Sequence, residues 1–282
     1  MREPKIGLAL SGGAALGAAH VGALQSLTAH KIPLSYITGT SAGAIVGAFH
    51  AFGIPEEKTI EHIANMSWRS VGRLSFSKYG LLSNDALGNI LHDALGDPRI
   101  EDAHIPLSIL AVDITTGEPI VFREGPLIPP LLASSCIPGI FAPVTIDGRM
   151  LVDGGLINNF PLSELDVHGM DIRVGVNVIP NTPTHPPANW FDIVNRSFDI
   201  ISHNRYSDVR KGDIIIRPDL AEFSYSSLSQ APRMIAEGRR ATDQQINSIR
   251  EAVDTFNNVE EPTIERTPTF LERIQALTKK LF

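Results

Sequence analysis

The chain is poor in the residues that staple or span. Cys136 is the only cysteine in 282 residues. This excludes an internal disulfide framework and a cysteine-rich zinc module, and a lone cysteine in this setting reads as a small buried hydrophobe. Basic residues are outnumbered, 24 Lys+Arg against 31 Asp+Glu, for a net charge of −7. Such a balance leaves no general electrostatic footprint for nucleic acid. No run reaches the ~18 charge-free apolar residues of a membrane span; the nearest, residues 42–54, is shorter and carries His50. The opening residues are polar to Lys5, then apolar only as far as Ser11-Gly12-Gly13, which is not the pattern of a secretory signal. Neither H-E-x-x-H nor an EF-hand pattern occurs, so no metal and no cofactor are expected. The default expectation is a cytoplasmic protein with no nucleic-acid partner.

What is present is ordinary globular material: 43% hydrophobic residues, with 23 Gly and 20 Pro, close to average usage. One charge pattern stands out. Between Glu3 and Glu56 there is no acidic residue, and only Lys5 and Lys31 are basic. That block reads as the buried centre of the fold. Any carboxylate that does chemistry there must come from beyond residue 55.

Residues 5–10 (KIGLAL) form a short apolar run ended by Ser-Gly-Gly, the mark of a buried strand. Residues 17–30 place Ala18, Val21, Leu24 and Leu27 at helical spacing. Residues 35–38 read as a second strand and 42–52 as an Ala- and Gly-rich helix. This βαβα opening argues for an α/β fold with a mostly parallel sheet. Further helices are expected over 56–66, 84–95, 127–134, 161–168, 190–209 and 232–256, and strands over 107–112, 119–122, 173–178 and 214–216. Residues 68–82 read as a surface excursion and 136–143 as a Pro- and Gly-rich loop.

Three pieces carry possible chemistry. Gly39-Thr40-Ser41-Ala42-Gly43 is a G-x-S-x-G pentapeptide between a strand and a helix, where the glycines permit a sharp turn that exposes the serine Oγ. The N-terminus of the following helix favours developing negative charge. The plainer reading is a Gly-rich turn with a helix-capping serine. Ser11-Gly12-Gly13-Ala14-Ala15-Leu16-Gly17 follows the first strand. It is not a dinucleotide fingerprint, since the order is G-G-x-x-x-G and residues 30–40 hold no acid. Nor is it a P-loop, since Ala18-Ala19 stand where Lys-Ser/Thr is needed. It offers either free N–H groups for an oxyanion hole or close helix–strand packing. The third piece is a carboxylate. Asp147-Gly148 lies between two apolar runs and reads as a type I′ hairpin turn. Asp153, at the end of the second run and followed by Gly154-Gly155, is either a second turn residue or a carboxylate placed at a strand end.

Together these residues resemble the patatin-like phospholipase family, lipid acyl hydrolases with a Ser–Asp dyad. The Gly-rich loop, GTSAG (residues 39–43) and DGG (residues 153–155) occur in the family's order. ASSCIPGIFAPVTIDGRMLVDGGLINNFP (residues 133–161) and AVDITTGEPIVF (residues 111–122) are similar to family sequences. The resemblance runs from about residue 5 to 216. It implies a three-layer sandwich with helices on both faces of the sheet, over residues 5–260. It also implies Ser41 as nucleophile, Asp153 as base, and N–H groups of Gly12, Gly13 and Ala14 as oxyanion hole, with Gly17, Gly39, Gly43, Gly154 and Gly155 supporting. The family's loop usually reads Gly-Gly-Gly-x-Arg/Lys-Gly. Here Ala14 replaces the third glycine and Leu16 the basic residue.

The activity implied is hydrolysis of a phospholipid or other fatty-acyl ester through an acyl-serine. A free carboxyl, with a pKa of about 3.9, is a poor base for a hydroxyl, so a dry pocket is expected around the dyad. Three rivals remain: a Ser-His-Asp triad using His185 or His203, transfer of the acyl group to an alcohol or thiol, and a lipid-binding or regulatory relative with an impaired loop. Beyond Pro262 and Pro268, residues 261–282 read as a linker and a short amphipathic helix. Its apolar positions are Phe270, Ile274, Leu277 and Leu281, suited to packing on the body, to another subunit or to peripheral contact with a membrane surface.

Overall fold

The computed structural model describes residues 2–66, 73–74, 78–180, 186–187, 189–203 and 209–258; the expected C-terminal helix and His185 lie outside them. The chain runs β1 (Ile6–Leu10), α1 (Ala18–Ala29), β2 (Tyr36–Thr40), α2 (Ala42–Ala51), α3 (Glu56–Asn65), β3 (Arg73–Leu74), β4 (Gly80–Ser83), α4 (Asp85–Leu95) and β5 (Leu107–Asp113). It continues with β6 (Pro119–Phe122), α5 (Ile128–Ser134), β7 (Gly139–Phe141), β8 (Val144–Ile146), β9 (Arg149–Asp153), α6 (Ser163–Val167), β10 (Ile172–Val176), α7 (Trp190–His203), β11 (Ile214–Ile216), α8 (Ala231–Asp243) and α9 (Ile246–Asn258).

Eight strands form the main sheet in the order β11-β10-β1-β2-β5-β9-β8, with β6 also on β5. β11, β10, β1, β2 and β5 are parallel, while β6, β9 and β8 join antiparallel. The parallel strands are buried on both faces, as such strands must be when helices cover both. Alternate residues of β1 serve the two layers. Ile6, Leu8 and Leu10 enter the large core with α1, α2 and α8. Gly7 and Ala9 face α6 and the residues flanking it, Leu165 and Met170 included. Each fully buried Ile or Leu contributes about 1.5–3 kcal/mol of transfer free energy, so β1 anchors the sandwich.

The expected order of strands and helices up to α2 holds to within a residue or two at the ends. Three later expectations need correction. Residues 136–143 are not only loop: β7 pairs with β4, and β3 with β4, in a second, three-stranded sheet, so residues 80–83 are a strand too. Pro and Gly around Gly139-Ile140-Phe141 hide a strand of three residues. The long helix expected over 232–256 is two helices that break at Gln244-Gln245. Asp243 is tied to α1 by Ser26 (2.6 Å) and His30 (3.3 Å), and the Thr242 hydroxyl donates back to Gly238 O. These bonds fix the end of α8 before the chain turns into α9.

The connection of β5 is what positions the site. β6 occupies one edge of β5 over residues 109–112, so β2 and β9 must share the other edge. β2 runs parallel and ends with Thr40 opposite Leu110; β9 runs antiparallel and ends with Asp153 opposite Ala111. The two strands therefore meet end to end, on consecutive residues of one neighbour.

Candidate active site

Ser41 follows β2 directly and caps α2 with φ 53° and ψ −125°, a left-handed backbone that costs an L-residue free energy and persists only when held. It is held by its own N–H, which donates to Ser134 Oγ at 2.8 Å, and by Thr40 Oγ1, which donates to Asn158 O at 3.0 Å. The tight elbow needs Gly39 and Gly43. A Cβ at Gly39 would meet Ala44 N at 2.6 Å, and one at Gly43 would strike the carbonyls of Leu10 and Ser11. Gly17 lies against Ala42 in the same way, so the first helix starts beside the second.

Asp153 ends β9 and is 5% exposed; Ser41 is 8% exposed. Asp153 Oδ1 accepts the Gly155 N–H at 2.8 Å, and the Asp153 N–H donates to Cys136 O at 2.9 Å. Gly154 lies flat against Leu110 O. Cys136 is buried, and burial pushes its thiol up to about 12, with the nearby Asp153 charge acting in the same direction. Its thiol donates to Ala142 O at 2.9 Å, so it is buried, as its isolation in the sequence suggested, but as a hydrogen-bonded thiol.

The Gly-rich loop divides by hydrogen bonding. Gly12 N–H donates to Asn159 O at 3.0 Å, Ala15 N–H to Tyr225 O at 3.1 Å and Leu16 N–H to Gly13 O at 3.0 Å. Gly12 is therefore not an available donor, which corrects the set of three expected from the sequence. Among the described residues, Gly13 and Ala14 N–H have no partner. Ala14 reaches this position with φ 47°, the angle that the family's glycine would adopt without strain. Leu16 is fully buried in the core, so a hydrophobe anchors this end of the loop.

Two cavities meet at the serine. A small one of about 20 Å³ is lined by Gly13, Ala14, Ser41, Asp153, Asn159 and Asn195 together with Ile137, Gly155 and Phe198. A cleft of about 610 Å³ begins at Ala14, Ser41 and Ile137, which line both, and continues over apolar side chains of α1, α2, α3 and α4 to a rim of Ser226, Ser227 and Ser229. No histidine lines either cavity among the described residues, and of His203 only the backbone is described. Ser134, Asn159, Asn195 and Phe198 escaped the sequence reading. Ser134 had one signal, a polar residue at the end of an apolar helix; the pair on α7 had none.

An α/β sandwich with a serine elbow beside a buried carboxylate defines a broad class of folds. The comparisons narrow it. A model of the patatin-like phospholipase family matches residues 8–166, and the chain belongs to that family of lipid acyl hydrolases. Uncharacterized NTE family proteins of Mycobacterium bovis and Mycobacterium tuberculosis are 32% identical over 180 residues, 62% of this chain and 49% of theirs. The chain thus spans about half the length of these curated relatives. Lysophospholipase NTE1 of Eremothecium gossypii is 29% identical over 223 residues, 77% of this chain and 14% of that one. The fold is similar to VipD from Legionella pneumophila, with TM-score 0.57 at 15% identity over 90% of this chain and 67% of that one. It is also similar to human GIVD cytosolic phospholipase A2 in complex with methyl gamma-linolenyl fluorophosphonate, with TM-score 0.54 at 11% identity over 89% and 58%.

Proposed function

We propose that the protein is a serine lipid acyl hydrolase of phospholipase A, lysophospholipase or carboxylesterase type, acting through an acyl-enzyme on Ser41 with Asp153 as base. The observation that carries this reading is the junction of the two cavities at Ser41. On one side lie a carboxylate and two unpartnered N–H groups; on the other lies an apolar cleft of about 610 Å³, within the usual size of a small-molecule site. An ester whose carbonyl sits at the junction has its acyl chain in the cleft.

Asp153 accepts the Ser41 Oγ proton as Oγ bonds to the acyl carbon. The carbonyl oxygen becomes an oxyanion facing Gly13 and Ala14 N–H, beside the positive end of α2. The C–O bond to the alcohol then breaks, and the alcohol leaves with the proton from Asp153. The small pocket, at about 20 Å³, has room for about one water. That water bonds to the acyl carbon while Asp153 takes its proton; the C–Oγ bond then breaks as Asp153 returns the proton to Ser41 Oγ, and the fatty acid departs.

The test is esterase turnover of the wild type against Ser41→Ala and Asp153→Asn. Asparagine keeps an oxygen for the Gly155 N–H, so the local turn should survive. Each variant is expected to lose at least about 10³-fold in kcat, with circular dichroism unchanged. Retained turnover in Asp153→Asn would overturn the dyad. Failure of a fluorophosphonate probe to label Ser41 in the wild type would favour a lipid-binding relative instead.

A further inference from the structure

Helices α1, α2 and α3 enclose a trough that starts at Ser41, and a second cavity lies further along it. This one measures about 400 Å³ and is lined by Val21, Leu24, His50, Ile54 and Thr59 among others. All three helices keep the same order. α1 gives Ala18 to the cleft and Val21 to the second cavity, α2 gives Ile45 and then His50, and antiparallel α3 gives Ile63 and then Thr59. Val46 is the one residue that lines both. It is 3% exposed and five residues past Ser41, about 7–8 Å along the helix axis. His50 lies about 13 Å along it by the same rise. Burial holds His50 below the usual histidine range, so it adds no cation to this wall, and Glu56, Gln25 and Thr28 form the cavity's polar outer edge. Gln25 Nε2 donates to Glu56 Oε1 at the rim, tying α1 to α3.

We propose that Val46 is a partition that sets the acyl-chain length taken by the cleft, and that the cavity behind it is a distal subsite for longer chains. The proposal rests on the hydrolase reading for its substrate. A chain whose carbonyl is at Ser41 runs beside α2, and the Val46 isopropyl group stands between its end and about 400 Å³ of further space. Removing two methyl groups joins the compartments; adding a ring closes the cleft earlier.

The experiment compares the wild type with Val46→Ala and Val46→Phe. One readout is kcat/KM on p-nitrophenyl octanoate and palmitate. The other is calorimetric affinity for octanoate and palmitate, which needs no turnover. Val46→Ala should raise the palmitate-to-octanoate ratio about tenfold in both readouts, the scale on which apolar pockets discriminate chain length, and Val46→Phe should lower it. Unchanged ratios in both variants would overturn the partition. Shifted affinities without ester turnover in the wild type would uphold the partition and overturn the hydrolase. If Val46→Ala does not fold, Val46→Phe alone decides by the sign of its shift.

Discussion

Ser41 and Ala14 hold φ values of 53° and 47°, and both line the small pocket. A Cβ in that region costs about 1–2 kcal/mol. Lys31 and Asp147 share the positive sign, but they lie in turns away from this pocket. Strain of this kind gathers at sites where surrounding bonds over-determine the backbone, and here Ser134 and Tyr225 supply them. Ala14→Gly keeps both N–H donors. It is expected to stabilise the protein by about 1 kcal/mol, roughly 2 °C in Tm for a chain of this size, and to retain esterase activity. Ser41→Gly should melt higher than Ser41→Ala by a similar margin although both are inactive. Scanning calorimetry on the three variants measures this, and equal Tm values for the two Ser41 variants would remove the strain argument.

At the scale of elements, the site was partly legible. The strand, Gly loop, helix, strand, elbow and second helix could be read because apolar runs stop at glycines that sterics make necessary. Asp147-Gly148 could be read as a turn, and both residues do take positive φ. What could not be read is that β9 ends against β2 on the same edge of β5. That depends on register between strands far apart in sequence, and a single chain carries no signal for it. The break between α8 and α9 was hidden for a related reason, since the bond that fixes it reaches back from Asp243 to Ser26. The packing of α8 on α1 was equally silent. A Cβ at Gly22 would overlap Ile235 O, and one at Gly238 would overlap Ala19 O. Backbone cannot step aside as a flexible side chain can, so Gly238→Ala and Gly22→Ala should each cost about 3 kcal/mol by overpacking. The double variant should cost less than the sum, because one methyl already parts the helices. Gly88→Ala in α4 is the control. Its Cβ would meet only Leu132 Cδ1, at 3.6 Å, and helix propensity predicts a gain of up to about 1 kcal/mol. Urea denaturation of the four variants tests the set, and additive losses at Gly22 and Gly238 would mean that they do not report one contact.

For the whole molecule, acid stability should fall in two stages, because buried groups of two kinds titrate in different windows. His20 lies in the core beneath the Gly-rich loop, with Nε2 donating to Ser11 O at 2.7 Å and Nδ1 buried without a partner. Burial lowers its pKa to about 4, and it also lowers His50 and His168. Between pH 6.5 and about 4 the unfolded chain binds a proton that folded His20 refuses, so stability is full above pH 6.5 and declines below it. The loss due to His20 approaches about 3 kcal/mol at the lower limit. The second stage comes from carboxylates. Arg2 holds Asp171 below the usual range. Burial alone would raise Asp213, but its bonds to Arg173 and Arg210 outweigh that and lower it. Their contribution is present above about pH 4, the usual unfolded carboxylate value, and disappears as pH falls through their folded values. His20→Gln retains a donor for Ser11 O and cannot take up the proton. Urea midpoints at pH 7, 5.5 and 4.5 should therefore drop steeply for the wild type and remain much flatter for His20→Gln, with both proteins collapsing together below pH 4. Parallel curves down to pH 4.5 would show that His20 does not set the first stage.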